Sequence, residues 1–224
     1  MAGTVVFDLD GTLADTSGDL IAAANACFQA RGLGDLLDPV DDALIAFHGG
    51  RAMLRAGYAR MPADMLLPPA AEDEDYPRLL DHYGQNIACH TRLYPGVETA
   101  LETLAGAGHR LAVCTNKPAG LAEALLRELG IRQAFGAMIG ADTLRVRKPD
   151  PRPYQAAVQA AGGEVTRSFL IGDTETDRKT AAAAGVRVAL VSFGPEGQAI
   201  SRLAPEALLH HFDDLPELAR DWLA

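Results

Sequence analysis

The sequence predicts an α/β protein: a parallel-sheet core, interrupted after its first strand by an all-helical insert. Two patterns carry that expectation. From Val97 onward, short β-branched and apolar runs alternate with segments of helical period, as βαβ units do. Between about Thr16 and Ile87, by contrast, no run has strand periodicity. The expected boundaries are 1–15 and 88–224 for the core and 16–87 for the insert. A chain of 224 residues is long enough for both.

The elements follow in order. Thr4-Val5-Val6-Phe7 is a buried strand closed by Gly11. Asp19–Gly32 has helical spacing at Leu20, Ala23, Ala24 and Cys27. Pro39 to Tyr83 reads as helices broken by loops, with Pro68 to Asp75 as an exposed acidic connection. After Tyr94-Pro95-Gly96 come a helix at Val97–Ala107, a strand at Leu111–Cys114, a helix at Ala119–Leu129 and a strand at Ala137–Ile139. A helix after Pro151 precedes a strand at Ser168–Ile171. A helix at Thr176–Ala184, stopped by Gly185, precedes a strand at Val186–Val191. Trp222 is expected to pack the last helix on the sheet.

Composition narrows the function. There are 20 basic and 30 acidic residues, a net charge of −10. Such a surface repels a phosphate backbone, so no nucleic-acid partner is expected. An anionic substrate would need a local metal ion or placed cations. Cys27, Cys89 and Cys114 are odd in number and lack CxxC spacing, which points to reduced thiols and a cytoplasmic location. Val5-Val6-Phe7 is cut off by Asp8 and Asp10, so no signal peptide is read there. No apolar stretch reaches the length of a membrane span, and no membrane partner is expected.

Ligands of open α/β sheets bind outside the carboxyl ends of the strands. Those ends hold Asp8-Leu9-Asp10-Gly11-Thr12, Thr115-Asn116, and Gly172-Asp173 with Asp177 four residues on. Arg147-Lys148-Pro149-Asp150-Pro151 precedes a helix. Each piece alone has an ordinary explanation. Asp-x-Asp-Gly is a turn signal, Thr115 and Asn116 could cap a helix, and Thr174 with Asp177 fits a capping box. Together they place carboxylates, a hydroxyl and an ammonium on one edge. That set suits phosphoryl transfer. Clustered carboxylates call for a hard cation, here Mg²⁺. One carboxylate can attack phosphorus, and another can protonate the leaving oxygen and then activate water. Gly11 lets the backbone approach a phosphate, with amides as donors, and Lys148 and Thr115 can hold its oxygens.

At these motifs the chain resembles the haloacid dehalogenase-like superfamily, and its phosphoglycolate phosphatase-like members in particular. The resemblance covers nearly the whole chain. It implies a Rossmann-like core with a helical cap inserted after the first strand. It further implies Asp8 as nucleophile and Mg²⁺ ligand, and Asp10 as general acid/base that ligates the ion through its backbone carbonyl. Thr115 and the Asn116 backbone would bind phosphate. Lys148 would hold phosphate and steady the nucleophile, Asp173 would ligate the metal, and Asp177 would act in its outer shell. Gly11 and Thr12 join the substrate-binding set.

Within the superfamily, dehalogenases lack an aspartate at the position of Asp10. Phosphonoacetaldehyde hydrolases use a cap lysine, whereas the lysines here are Lys117, Lys148 and Lys179, all outside the insert. β-Phosphoglucomutases carry a histidine shortly after the first motif, where this chain has Thr16-Ser17-Gly18-Asp19-Leu20. Asp15-Thr16 with Asp19-Leu20, Thr115-Asn116-Lys117-Pro118 and Gly140-Ala141-Asp142-Thr143-Leu144 resemble phosphoglycolate phosphatases. The implied substrate is a small phosphate ester, 2-phosphoglycolate. A sugar-phosphate phosphatase, a β-phosphoglucomutase-like phosphotransferase and a non-catalytic binder of the same fold are the alternatives. His48-Gly49-Gly50-Arg51 resembles the subgroup's Gly-rich cap segment. Gly50 and Arg51 are therefore expected at the substrate, with Arg51 meeting a carboxylate. Arg51 as a solvated helix-start residue is the competing explanation.

Overall fold

The computed structural model describes residues 2–61, 65 and 67–224. Residues 62–64 and 66, inside the segment expected to be helices broken by loops, lie outside the described residues. The chain divides into two compact units, Met1–Asp15 with Leu93–Ala224, and Thr16–Arg92.

The strands in chain order are β1 (Thr4–Phe7), β2 (Ala14–Asp15), β3 (Arg92–Leu93), β4 (Arg110–Cys114), β5 (Ala137–Ile139), β6 (Ser168–Gly172), β7 (Arg187–Val191) and β8 (Ala207–Leu209). Six of them form one sheet in the order β5-β4-β1-β6-β7-β8, and every pairing in it is parallel. All four side chains of β1 are fully buried. A parallel sheet covered on both faces needs such a continuous apolar run, because neither face meets water. Each fully buried Val or Phe there contributes about 1.5–3 kcal/mol. β8 was not anticipated. Its three residues are only partly buried up to Leu209, too short a run to show a period.

Helices α1 (Ser17–Ala30), α2 (Ala43–Ala46), α3 (Gly50–Tyr58) and α4 (Ala71–Gln85) build the second unit, and among its described residues no strand precedes β3. Helices α5 (Val97–Gly106), α6 (Ala119–Glu128), α7 (Pro151–Ala160), α8 (Glu175–Ala184) and α9 (Leu215–Leu223) flank the sheet. Trp222 of α9 meets Phe169 of β6 edge-on with ring centroids 5.0 Å apart, which docks the last helix as expected.

One expectation fails in the helical unit. The stretch read as an exposed acidic connection enters α4 at Ala71, and Asp75 is fully buried. Glu72, Asp73 and Glu74 lie in the first turn, where the helix dipole favours negative charge. Asp75 is held by Arg31 Nε at 2.5 Å, by Arg78 Nη1 at 2.9 Å and by the Tyr58 hydroxyl. Burial alone would raise its pKa; Arg31, Tyr58 and Arg78 outweigh that and lower it. At the other end of the unit, Asp19 accepts hydrogen bonds from the amides of His90 and Thr91, each at 2.9 Å, and fastens the start of α1 to the returning chain.

Asp75→Asn should therefore destabilise the protein by on the order of 3 kcal/mol, because it leaves Arg31 without its buried counter-charge. Since the folded pKa is depressed, the wild-type advantage is present above the ordinary carboxylate range and fades as pH falls through the lowered value. Urea melts of both proteins at pH 7 and pH 3 check this. A difference below about 0.5 kcal/mol at pH 7 would contradict it.

Candidate active site

Strand register brings the motifs together. Phe7 pairs with Val113 on one side and with Ile171 on the other, so the residues after β1, β4 and β6 leave the sheet at the same level. β1 lies where the strand order reverses, with β4 on one side and β6 on the other. Such a switch point opens a crevice at the carboxyl ends.

Asp8 follows β1. Its Oδ1 accepts from the Leu9 amide at 2.8 Å and lies 3.0 Å from Lys148 Nζ. Gly11 then turns the chain at φ +79, a backbone region that side chains disfavour. The amides of Gly11 and Thr12, expected as donors to substrate, are used inside this turn by Ala14 O and Leu9 O. Thr12, also expected in the substrate-binding set, is fully buried, and its hydroxyl donates to Asp173 Oδ1 at 2.8 Å. These two residues thus shape the turn and aim a carboxylate.

Asp177 sits on the first turn of α8. Its Oδ1 accepts from Lys148 Nζ at 2.6 Å, and its Oδ2 accepts from the Thr174 hydroxyl at 2.6 Å and the Thr174 amide at 3.2 Å. The capping box is real, and it also delivers a carboxylate to the site. A Cβ on Gly172 would lie 2.4 Å from Asp177 Cβ, so only glycine lets α8 come this close. Lys148 is held just ahead of α7, which Asp150 caps through the Arg152 amide and Pro151 begins. The Lys148–Pro149 bond is cis. Asn116 Nδ2 donates to Lys148 O at 3.0 Å and ties the second motif to the third.

Asp8, Asp173 and Asp177 offer ligand oxygens all within 4.8 Å of one another. Three carboxylates around one ammonium leave negative charge in excess where water is scarce. Burial pushes the pKa of Asp8 up to about 6; Lys148 pulls it down, and Asp177 and Asp10 push it up. Burial, Asp177 and Asp8 raise that of Asp173 well above the usual carboxylate range. Burial would lower Lys148, but Asp177 and Asp8 more than reverse that. An all-oxygen, carboxylate-rich set with surplus charge fits a divalent cation. Asp10 stands apart from this cluster: its Oδ1 lies 2.8 Å from Lys117 Nζ.

Thr115, 4% exposed, accepts from the Lys117 amide at 3.2 Å. It does not cap α6. That cap comes from Asp142, whose Oδ1 accepts from the Ala119 amide at 2.7 Å. Gly50 and Arg51 open α3 in the helical unit, where Arg51 Nη1 lies 2.7 Å from Asp73 and 3.1 Å from Glu72. Its guanidinium also stacks 4.6 Å over the Tyr76 ring. His210 and His211 are exposed, and His210 Nδ1 meets Ser192 Oγ at 2.7 Å. Sequence reasoning assigns Lys117 no role; its signal is its place three residues past the end of β4, within Thr115-Asn116-Lys117-Pro118.

This fold and site define a haloacid dehalogenase-like hydrolase: the model of that family matches residues 5–191, and the chain belongs to it. Within the family the chain is a phosphatase of the phosphoglycolate phosphatase-like kind. It is 39% identical over 211 residues to the phosphoglycolate phosphatase of Mesorhizobium japonicum, covering 94% of this chain and 92% of that one. To the phosphoglycolate phosphatase of Caulobacter vibrioides it is 41% identical, covering 96% of this chain and 89% of that one. Among solved structures, a "predicted phosphoglycolate phosphatase" from Haemophilus somnus superposes with a TM-score of 0.86 at 26% identity, covering 97% of each chain. CbbY from Rhodobacter sphaeroides, in complex with phosphate, superposes at 0.77 with 25% identity and covers 96% of each. No helix among the described residues is long and apolar enough to cross a membrane.

The raised pKa of Asp8 has a measurable result. The metal-free fold is favoured by the protonated carboxyl, and that advantage is lost as pH rises from the unfolded value through about 6. A divalent cation should therefore raise Tm more at pH 7.5 than at pH 5, where it must displace protons. Melts in EDTA and in millimolar cation at both pH values test this. Equal gains would show that these carboxylates do not bind the ion.

Proposed function

We propose that the protein is a Mg²⁺-dependent phosphatase that hydrolyses 2-phosphoglycolate through an aspartyl phosphate. The convergence of Asp8, Asp173, Asp177 and Lys148 on one strand edge carries this reading. The relatives named phosphoglycolate phosphatase support the substrate. The helical unit is the proposed cap, and a cytoplasmic location goes with the reduced cysteines.

The Leu9 amide and Lys148 both hold Asp8 Oδ1, which fixes the plane of the carboxylate before substrate arrives. In the first step an Asp8 oxygen bonds to phosphorus, the ester P–O bond breaks, and Asp10 gives its proton to the departing alkoxide. In the second, water attacks phosphorus, Asp10 takes a proton from it, and the P–O bond to Asp8 breaks to release phosphate. Thr115, the Asn116 backbone and Lys148 hold the non-bridging oxygens. Their charge is worth most when it meets charge developing in the transition state. Mg²⁺ held by Asp8, Asp173 and the Asp10 backbone carbonyl, with Asp177 behind them, would neutralise the transferring group. The non-catalytic alternative has nothing in its favour, because every motif carboxylate is present.

Arg51 of the proposed cap would need to leave Glu72 and Asp73 to meet a substrate carboxylate. Exposed ion pairs of that kind are weak, so the exchange is inexpensive.

With Mg²⁺ the wild type should release phosphate from 2-phosphoglycolate, and EDTA should stop it. Asp8→Asn should lower kcat by at least about a thousandfold while leaving the circular dichroism spectrum unchanged. Metal-dependent turnover surviving in a clean Asp8→Asn preparation would exclude the covalent mechanism.

A further inference from the structure

We infer that Lys117 determines specificity: its ammonium receives the carboxylate of the leaving group, the glycolate half of 2-phosphoglycolate. This rests on the reading above, in which Asp10 protonates the leaving oxygen.

Placement is the first argument. Lys117 Nζ lies 2.8 Å from Asp10 Oδ1, and its side chain is only 4% exposed. A leaving oxygen protonated by Asp10 must also come within hydrogen-bond distance of that carboxyl. Lysine ammonium and leaving oxygen are then at most about 6 Å apart if they share Oδ1, and about 8 Å if the proton comes from Oδ2. In glycolate the carboxylate is two bonds from that oxygen, which puts it within that gap. An ammonium has three donors, so contact with Asp10 does not preclude contact with a second oxyanion.

Rigidity is the second. The Lys117 amide donates to Thr115 Oγ1 at 3.2 Å, and its carbonyl accepts from the Ala141 amide at 2.9 Å. Asp142 caps α6 two residues further on, and Thr143 Oγ1 accepts from the Gly140 amide at 2.9 Å. The Gly140-Ala141-Asp142-Thr143 loop, which the phosphatase chemistry leaves without a task, thus buttresses Lys117 from the neighbouring strand end. Sites held this way on strand ends position charge better than sites on mobile loops.

Residue choice is the third. The chain has three lysines against seventeen arginines, and Lys117 and Lys148 are both buried at this edge. Lysine supplies a compact point charge where a guanidinium fork would be too large. Lys148 faces the nucleophile, and Lys117 faces the acid. In a protein of net charge −10, a substrate with both phosphate and carboxylate needs a cation for each.

The test compares two esters of the same length, 2-phosphoglycolate and ethyl phosphate, in wild type, Lys117→Gln, Lys117→Met and Arg51→Ala. Both Lys117 variants should lose at least about tenfold more kcat/KM on 2-phosphoglycolate than on ethyl phosphate, mainly through KM. The ratio within one preparation does not depend on the fraction folded, so imperfect folding cannot mimic the result. Arg51→Ala should change the ratio less. Equal losses on the two esters would overturn the inference and leave Lys117 as a holder of Asp10. A ratio that moves with Arg51→Ala and not with the Lys117 variants would overturn it in favour of the cap residue. Wild type that turns over ethyl phosphate but not 2-phosphoglycolate would instead sink the parent reading, and this inference with it.

Discussion

The ammonium of Lys148 lies 3.0 Å from Asp8 and 2.6 Å from Asp177, and almost none of its side chain reaches solvent. Without it Asp8, Asp173 and Asp177 would stand together with no ammonium paired to any of the three. A buried charge with no partner costs several kcal/mol, and carboxylates in that position protonate instead. On the proposed mechanism a protonated Asp8 could not attack phosphorus, so Lys148 would serve the fold and the chemistry through the same contact. One ammonium does not complete the balance: burial first, and then the neighbouring carboxylates, still raise the pKa values of Asp8 and Asp173. The surplus is what makes the site receptive to a divalent cation. A fully neutralised cluster would have less affinity for one.

That balance depends on distances set by ordinary backbone features. The register of β1 against β4 and β6 sets the level of the three motifs. The missing side chain at Gly172 lets Asp177 come against the end of β6. Asn116 and the Asp150 cap fix the segment that carries Lys148. None of these groups needs to touch substrate, yet each places one that would. This is preorganisation in a literal sense: the polar groups are fixed by folding, so little reorganisation is left for the reaction.

Much of this was legible in the sequence, and the parts that were not share a cause. The buried strands show as apolar runs and the core helices as periodic segments, because period and burial are local. Asp8, Lys148, Asp173 and Asp177 stand in motifs at strand ends or helix starts, so their convergence follows once the sheet is parallel. What sequence misjudged was pairing. Asp75, at the end of an acidic run, looks solvated until Arg31, 44 positions away, closes on it. Nothing near Thr12 in sequence announces Asp173, 161 positions away, which accepts from its hydroxyl. The cap of α6, for which Thr115 and Asn116 are the competing explanation in sequence, comes from Asp142, 23 positions from the amide it accepts from. Side-chain partners chosen across long sequence separations leave no periodic trace.

Lys117 is the sharpest case. In sequence it is one letter of a motif whose neighbours have recognised work. In the folded protein it is the buried cation beside Asp10, as Lys148 is beside Asp8. Two lysines thus attend the two aspartates of the first motif, which on the proposed mechanism flank the bond to be broken. A phosphate ester presents different charge at those two sides: always an anion at phosphorus, and an anion at the leaving group only for some substrates. Lys148 answers the charge common to every phosphomonoester, so it has no means of telling one from another. On the proposed mechanism discrimination falls to groups beside Asp10, and there the core itself supplies the Lys117 ammonium.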